Sequence, residues 1–94
     1  MDLLEEYIIL KDDITYNVYY AGRYPEEDAT SLQEQRAKIM EQLSRVEGAL
    51  PTGWRTQRLG LARERIVRAF AAYEAGNSGR QLLTDALDYV DKSK

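Results

Sequence analysis

The chain of 94 residues contains neither cysteine nor histidine. Without cysteine it can form no disulfide, no thiolate metal site and no thiol nucleophile, and both oxidising and reducing compartments are open to it. Without histidine it lacks the usual general base near neutral pH and the commonest ligand of transition metals. We therefore expect no enzyme, no catalytic residues, no metal and no cofactor.

Long apolar runs are also missing. No stretch approaches the ~20 apolar residues that a membrane-spanning helix needs. The first ten residues, "MDLLEEYIIL", carry three acids where a secretory signal carries basic residues. With 44% hydrophobic and 31% charged residues, the composition is typical of a globular protein. We expect one soluble, cytoplasmic domain over residues 1–94 that does not bind membranes.

Charge is distributed unevenly along the chain, although the net charge is only −3. Residues 1–34 carry a net charge of −7, residues 35–70 carry +5 and residues 71–94 carry −1. In one interpretation, the negative first segment packs beside the positive middle segment. In the other, each segment meets a partner of opposite charge.

Three breaks divide the chain into four segments with apolar residues at helical spacing. Each break contains glycine with proline or asparagine, which end and start helices: "AGRYP" at 21–25, "EGALPTG" at 47–53 and "EAGNSG" at 74–79. The sequence therefore predicts an all-α fold, a small antiparallel four-helix bundle. The predicted helices cover approximately residues 3–21, 27–47, 53–75 and 79–91.

Two helix starts have the spacing of a capping box, in which a serine and a glutamate or glutamine three residues later cap each other. Ser31 with Glu34 predicts the start of the second helix, and Ser78 with Gln81 predicts the start of the fourth. Asp2 with Glu5 has the same spacing at the start of the first helix.

The first segment allows two structures. Its apolar residues follow a helical period of about 3.5 residues through Leu3, Tyr7, Leu10 and Ile14. "ITYNVYY", however, is rich in β-branched and aromatic residues, which favour a strand. The helical period continues through the turn that a hairpin would need, so we favour a helix. The alternative is an α+β fold with an N-terminal β-hairpin at 7–20 packed on three helices.

The third segment contains five arginines within "GWRTQRLGLARERIVRAF" at 53–70. On a helical wheel, one face carries three arginines, a tryptophan and a leucine: Trp54, Arg58, Leu61, Arg65 and Arg68. The arginines could pair with acids of the chain itself, such as Asp12, Asp13 or those at 26–28. Alternatively they bind a partner protein beside Trp54, or the phosphates of a nucleic acid.

Five of the seven tyrosines lie within the first 24 residues. Tyr16, Tyr19 and Tyr20 spread over more than one face of a helix, so we expect some of them to be exposed. Asp12 and Asp13 lie close by. Tyrosine provides a large, stiff contact area and carboxylates attract basic groups, so these residues predict an acidic, tyrosine-rich binding surface.

The pair "YY" at 19–20 and the acidic "PEED" at 25–28 resemble in composition the surface of colicin immunity proteins. Those small, acidic, four-helix proteins neutralise nucleases with a tyrosine pair and nearby carboxylates. The likeness is an analogy, because the order of motifs along the chain differs. The sequence thus predicts a non-catalytic protein–protein interaction module: an adaptor, an inhibitor or an immunity-type protein.

The partner is expected to be another protein, either a different chain or a second copy of this one. Binding would use the tyrosine-rich surface (Asp12, Asp13, Tyr16, Tyr19 and Tyr20) or the Trp/Arg face of the third helix (Trp54, Arg58, Leu61, Arg65 and Arg68). The alternative function is nucleic-acid binding through the arginine-rich third helix, which the acidic overall composition disfavours.

Overall fold

Four packed α-helices make up the described part of the chain. The computed structural model describes the backbone of residues 2–21 and 29–94 and the side chains of residues 2–21 and 32–94. Within those ranges there is no strand, and the helices are α1 (Leu3–Tyr20), α2 (Ala29–Gly48), α3 (Trp54–Glu74) and α4 (Arg80–Lys92). The all-α prediction is confirmed. The alternative hairpin at 7–20 is not supported, because those residues form one continuous helix.

α1 is helical despite its β-branched and aromatic residues because one of its faces is buried. The carboxylate of Asp2 caps the helix start, where its Oδ1 accepts a hydrogen bond from the Glu5 N–H at 2.9 Å. Tyr7, Leu10 and Ile14 then lie within the core at helical spacing. Most of the stability of such a helix comes from packing of its apolar face, which overrides the local preference for a strand.

The predicted capping boxes of α2 and α4 are wrong. α2 is already helical at Ala29, so Ser31 does not stand at its start. α4 begins at Arg80 with Gly79 at its N-cap. The Ser78 hydroxyl accepts a hydrogen bond from the Arg80 N–H at 3.3 Å, but the side chain of Gln81 donates to Asp85 and not back to the helix start, so the reciprocal box does not form. The N-cap position itself is sterically restricted, because a Cβ on Gly79 would lie 2.3 Å from the carbonyl oxygen of Ala69. Only glycine allows α4 to begin this close to α3.

Gly76 ends α3, as its sequence position predicts. Its φ of +81° lies in the left-handed region that glycine adopts without strain. The following Asn77 N–H donates to the carbonyl of Ala72 at 2.8 Å, and the Gly76 N–H donates to Tyr73 at 3.0 Å. This pair of bonds is a Schellman motif, which satisfies carbonyls at the end of the helix.

Each helix packs extensively on two others. The extensive contacts are those of α1 with α2 and α4, and those of α3 with α2 and α4. All four helices contribute to one apolar core, whose fully buried larger side chains include Tyr7, Leu10, Ile14, Ile39, Leu43, Val46, Leu59, Ile66, Phe70, Leu83 and Val90. α1 and α3 do not pack extensively on each other, so the acids of α1 do not face the arginines of α3 within the fold.

Polar contacts fix which ends of the helices meet. The Tyr7 hydroxyl near the start of α1 lies 2.8 Å from the Ser93 hydroxyl just after α4. Near the other end of α1, the side-chain amide of Asn17 donates to Gln35 of α2 at 3.0 Å. Farther along α2, the side-chain amide of Gln42 donates to the carbonyl of Glu6 at 2.9 Å. These contacts hold α1 in one rotational setting against α2 and α4.

Replacing Gly79 by alanine should lower the free energy of unfolding by about 1–3 kcal/mol, because the added Cβ forces the backbones of α3 and α4 apart. Gly60 is the matched control: it lies within α3, is exposed, and would place a Cβ in open space. Gly60→Ala should raise stability by about 0.5–1 kcal/mol through helix propensity. Urea unfolding of both variants measures the difference, and equal effects would contradict the close approach.

Candidate protein-binding surfaces

Three tyrosines of α1 lie on its side away from the core. Tyr16, Tyr19 and Tyr20 have exposed fractions of 47%, 57% and 46%. By contrast, Tyr7 on the opposite side of the same helix is buried. One turn before Tyr16, Asp12 is exposed on the same side as the three tyrosines. The sequence prediction of an exposed tyrosine surface therefore matches where the structure places these side chains.

The tyrosines are partly held in place before any partner arrives. The rings of Tyr16 and Tyr20, one helical turn apart, lie with centroids 4.8 Å apart at an angle of 40°. Across the α1–α4 contact, the guanidinium of Arg80 lies 5.6 Å from the ring centroid of Tyr19. Restricted side chains lose less entropy when they bind, so this arrangement favours binding.

Asp13 does not belong to this exposed surface, although it follows Asp12 in the chain. Only 13% of its side chain is exposed, and its carboxylate lies 3.5 Å from the ammonium of Lys38 on α2. The backbone carbonyl of Asp13 also accepts a hydrogen bond from the buried Asn17 at 2.9 Å. Asp13 therefore serves the contact between α1 and α2, whereas Asp12 remains available to a partner.

Two apolar side chains that the sequence analysis did not single out extend the surface. Leu4 and Ile8 have exposed fractions of 63% and 47%, and Ile8 precedes Asp12 by four residues, which places both on one side of α1. The sequence alone could have indicated their exposure, because both are apolar but lie outside the helical period of Leu3, Tyr7 and Leu10 that predicts the buried side of α1. We call the whole exposed set the outer face of α1: Leu4, Glu5, Ile8, Asp12, Tyr16, Tyr19 and Tyr20.

The second predicted surface lies on α3 beside α4, and we call it the Trp–Arg face. Trp54 at its start is 55% exposed, with the guanidinium of Arg58 at 5.0 Å from the ring centroid. Arg58 also donates to the carbonyl of Lys92 at 2.5 Å. One turn on, Leu61 is 41% exposed. The tryptophan side chain therefore remains accessible to a partner.

The remaining arginines of this face are joined by Glu64. Arg65 lies 3.1 Å and Arg68 3.6 Å from its carboxylate. The Arg65 guanidinium also lies 5.7 Å from the ring centroid of Tyr89 on α4, and only 24% of its side chain is exposed. Arg68, at 58%, is far more accessible. The structure thus brings the five predicted residues onto one surface, but it exposes them unequally.

Every arginine of α3 has a partner within the chain. Besides the three above, the Arg55 side chain donates to the carbonyl of Ser93 at 2.8 Å, and Arg63 pairs with Glu47 of α2. The partners expected from the sequence, Asp12 and Asp13, are not the ones observed. The acids at 26–28 and the rest of "PEED" lie outside the described residues. Internal pairing therefore accounts for much of this arginine-rich stretch.

A shallow depression of about 260 Å³ next to Arg65 carries no excess positive charge. It is lined by Arg65, Asp85, Asp88, Tyr89 and Lys92. Lys92 lies 2.8 Å from Asp88, and that hydrogen bond raises the pKa of Lys92 above its usual value. Two cations therefore face two carboxylates, which gives little attraction for a phosphate group.

The three aspartates that recur along α4 each have a separate partner. Asp91 lies 2.6 Å from Lys11 of α1, Asp85 accepts from Gln81 at 2.9 Å, and Asp88 pairs with Lys92 as described. The hydrogen bond to Asp91 raises the pKa of Lys11.

Within residues 2–21 and 32–94, no three carboxylates come together as a possible metal site. None of the helices described has the length and apolar character needed to cross a membrane.

Comparison of the chain with protein-family models, curated proteins and solved structures finds no significant match to any of them.

Replacing an outer-face tyrosine should leave the fold intact. We expect Tyr16→Ala and Tyr19→Ala each to lower the free energy of unfolding by less than about 1 kcal/mol, since both side chains are half in water. Tyr7→Ala, the buried counterpart, should lower it by about 3–5 kcal/mol because it leaves a cavity and removes the bond to Ser93. Urea unfolding distinguishes the two classes; similar losses at Tyr16 and Tyr7 would contradict the exposure of the outer face.

Proposed function

We propose that this protein is a non-catalytic protein–protein interaction module, an adaptor, inhibitor or immunity-type protein that binds its partner through the outer face of α1. The observation that carries the proposal is the exposure of Tyr16, Tyr19 and Tyr20 on one side of a helix whose other side is core. Isolated exposed apolar residues are common, whereas contiguous patches of aromatic and aliphatic side chains are typical of interaction sites.

The chemistry of this face favours a protein as its ligand. Tyrosine is enriched at interface hot spots, because it buries a large area while its hydroxyl keeps a hydrogen bond. Asp12, exposed beside Tyr16, adds a charge that can steer a basic partner and fix its register. Leu4 and Ile8 supply apolar area along the same helix. Together they form a face about 24 Å long from Leu4 to Tyr20.

The proposal rests on a rigid support, which we infer to be an antiparallel four-helix bundle of one domain. The contact between the Tyr7 and Ser93 side chains joins the start of α1 to the end of α4, and Arg80 at the start of α4 reaches Tyr19 near the end of α1. This head-to-tail pairing supports opposite directions for the two helices. We also propose a cytoplasmic location, on the globular composition of the chain.

The Trp–Arg face of α3 is the second candidate for protein binding, supported by the exposure of Trp54 next to Arg58. Nucleic-acid binding through Arg58, Arg65 and Arg68 has less support. Each of these guanidinium groups already contacts an acceptor or an aromatic ring within the chain. A phosphate would have to compete with Glu64 for two of them.

Affinity capture from native lysate, read by quantitative mass spectrometry, tests the proposal. We expect a protein to be captured by the wild type and retained after nuclease treatment. Tyr16→Ala and Tyr19→Ala should each weaken its binding by about 2 kcal/mol, or about thirtyfold, because hot-spot tyrosines contribute this much. The affinity for the identified partner is then measured with purified proteins.

Trp54→Ala tests the second candidate face in the same way, since it removes an exposed aromatic side chain on a different helix. A partner that is lost with Trp54→Ala and kept with Tyr16→Ala would move the site to the Trp–Arg face. Capture that disappears with nuclease would instead favour nucleic-acid binding and contradict the proposal.

A further inference from the structure

α1 and α3 carry opposite charges on helices that do not pack extensively on each other. α1 has four acids and one base, whereas α3 has five bases and two acids. Each packs on α2 and α4, so the two helices lie on opposite sides of the structure. Although several of these charges pair within the chain, part of the charge difference between α1 and α3 is therefore displayed outward at two surfaces.

The acids on the outer face of α1 are regularly spaced. Glu5 and Asp12, both exposed, lie seven residues apart and therefore on the same side after two turns. Around them lie the exposed apolar and aromatic side chains Leu4, Ile8, Tyr16 and Tyr19. Two bases border this face: Lys11 pairs with Asp91 of α4, and Arg80 of α4 lies against the ring of Tyr19. The face thus offers apolar area and negative charge together.

The Trp–Arg face of α3 has the same spacing with the opposite charge. Arg58 and Arg65 lie seven residues apart, as do Leu61 and Arg68. Trp54 and Leu61 provide exposed apolar area among them. Two helices whose residues repeat every seven positions can meet along their length, with charged groups of one facing those of the other.

We propose that the outer face of α1 binds the Trp–Arg face of α3 in a second copy of the chain. This inference rests on the proposed function, and it names the partner. Pairing α1 with α1 of another copy is disfavoured, because Glu5 and Asp12 of both chains would then be brought together. Pairing α1 with α3 places guanidinium groups against carboxylates and tyrosine rings. The chain itself already holds such a pair, Arg80 on Tyr19.

The arrangement has two consequences for assembly. Because the two faces are different surfaces on different helices, each added copy again presents one of each, so association continues beyond a dimer unless a ring closes. We expect one pair of helices to bury less than the roughly 800 Å² per partner of a standard interface. Association is therefore expected at about 100 μM protein rather than at nanomolar concentration.

Sedimentation equilibrium from about 10 μM to 1 mM tests the inference. At low salt the weight-average mass of the wild type should rise steadily with concentration, and 0.5 M salt should reverse most of this rise because it screens the charges. The single tryptophan, Trp54, lies in the proposed contact, so its fluorescence should shift to the blue as the mass rises.

Charge-swapped variants identify the two faces. Asp12→Lys places a positive charge on the α1 face and Arg68→Glu places a negative charge on the α3 face, and both positions are exposed. Each variant alone should associate at least about tenfold more weakly, since like charges then meet. An equimolar mixture of the two should associate again, because each altered face finds a complementary one. Glu41→Lys on α2, the same charge change away from both faces, should behave as the wild type.

A wild type that remains monomeric at 1 mM would overturn the inference. So would a wild type that self-associates while the equimolar mixture of Asp12→Lys and Arg68→Glu does not. Those results leave the proposed function separately testable. A different protein captured by the wild type and lost with Tyr16→Ala would keep the outer face of α1 as a binding site while excluding the second copy as its partner. If the wild type neither self-associates nor captures another protein through Tyr16, the outer face of α1 is not a binding site.

Discussion

Ser93 joins three helices, and the setting of the outer face depends on it. Its side chain is completely buried, its hydroxyl lies 2.8 Å from that of Tyr7, and its carbonyl accepts a hydrogen bond from Arg55 at 2.8 Å. The start of α1, the start of α3 and the end of α4 therefore meet at one residue. A tyrosine hydroxyl inside a core needs such a partner, because an unsatisfied buried polar group destabilises the fold by about 1–3 kcal/mol. Any rotation of α1 would break this bond.

Fixing the rotation of α1 also decides what the helix presents to solvent. With Tyr7 and Ile14 turned into the core, Asp12 and Tyr19 must point away from it, because residues on the two sides of a helix cannot be buried together. The polar contacts along α1, from Gln42 of α2 and from Asp13 to Lys38, hold the same setting. The exposure of Tyr16, Tyr19 and Tyr20 is thus a consequence of how the core is built. The buried side of α1 accommodates Tyr7 but not these three tyrosines as well.

The arginines of α3 show how internal pairing and surface charge coexist. Glu64 neutralises part of the positive charge of Arg65 and Arg68, and Glu47 does so for Arg63. α3 nevertheless keeps a surplus of positive charge opposite the acidic α1. Exposed ion pairs of this kind contribute only about 0–1 kcal/mol each, so they do not prevent a partner from competing for the guanidinium groups. The same surface can therefore be structurally paired and still available for binding.

Features that depend on residues close in the chain could be predicted from the sequence: the spacing of Leu10 and Ile14 favoured a helix with one buried side, and Gly76 marked the end of α3. It also indicated that some of the tyrosines of α1 would be exposed. Three features could not be predicted in this way: Asp13 lies in the α1–α2 contact, Gly79 must be glycine, and the opposite charges of α1 and α3 remain apart. Those outcomes depend on which helices become neighbours, and periodicity within one segment carries no information about its neighbours.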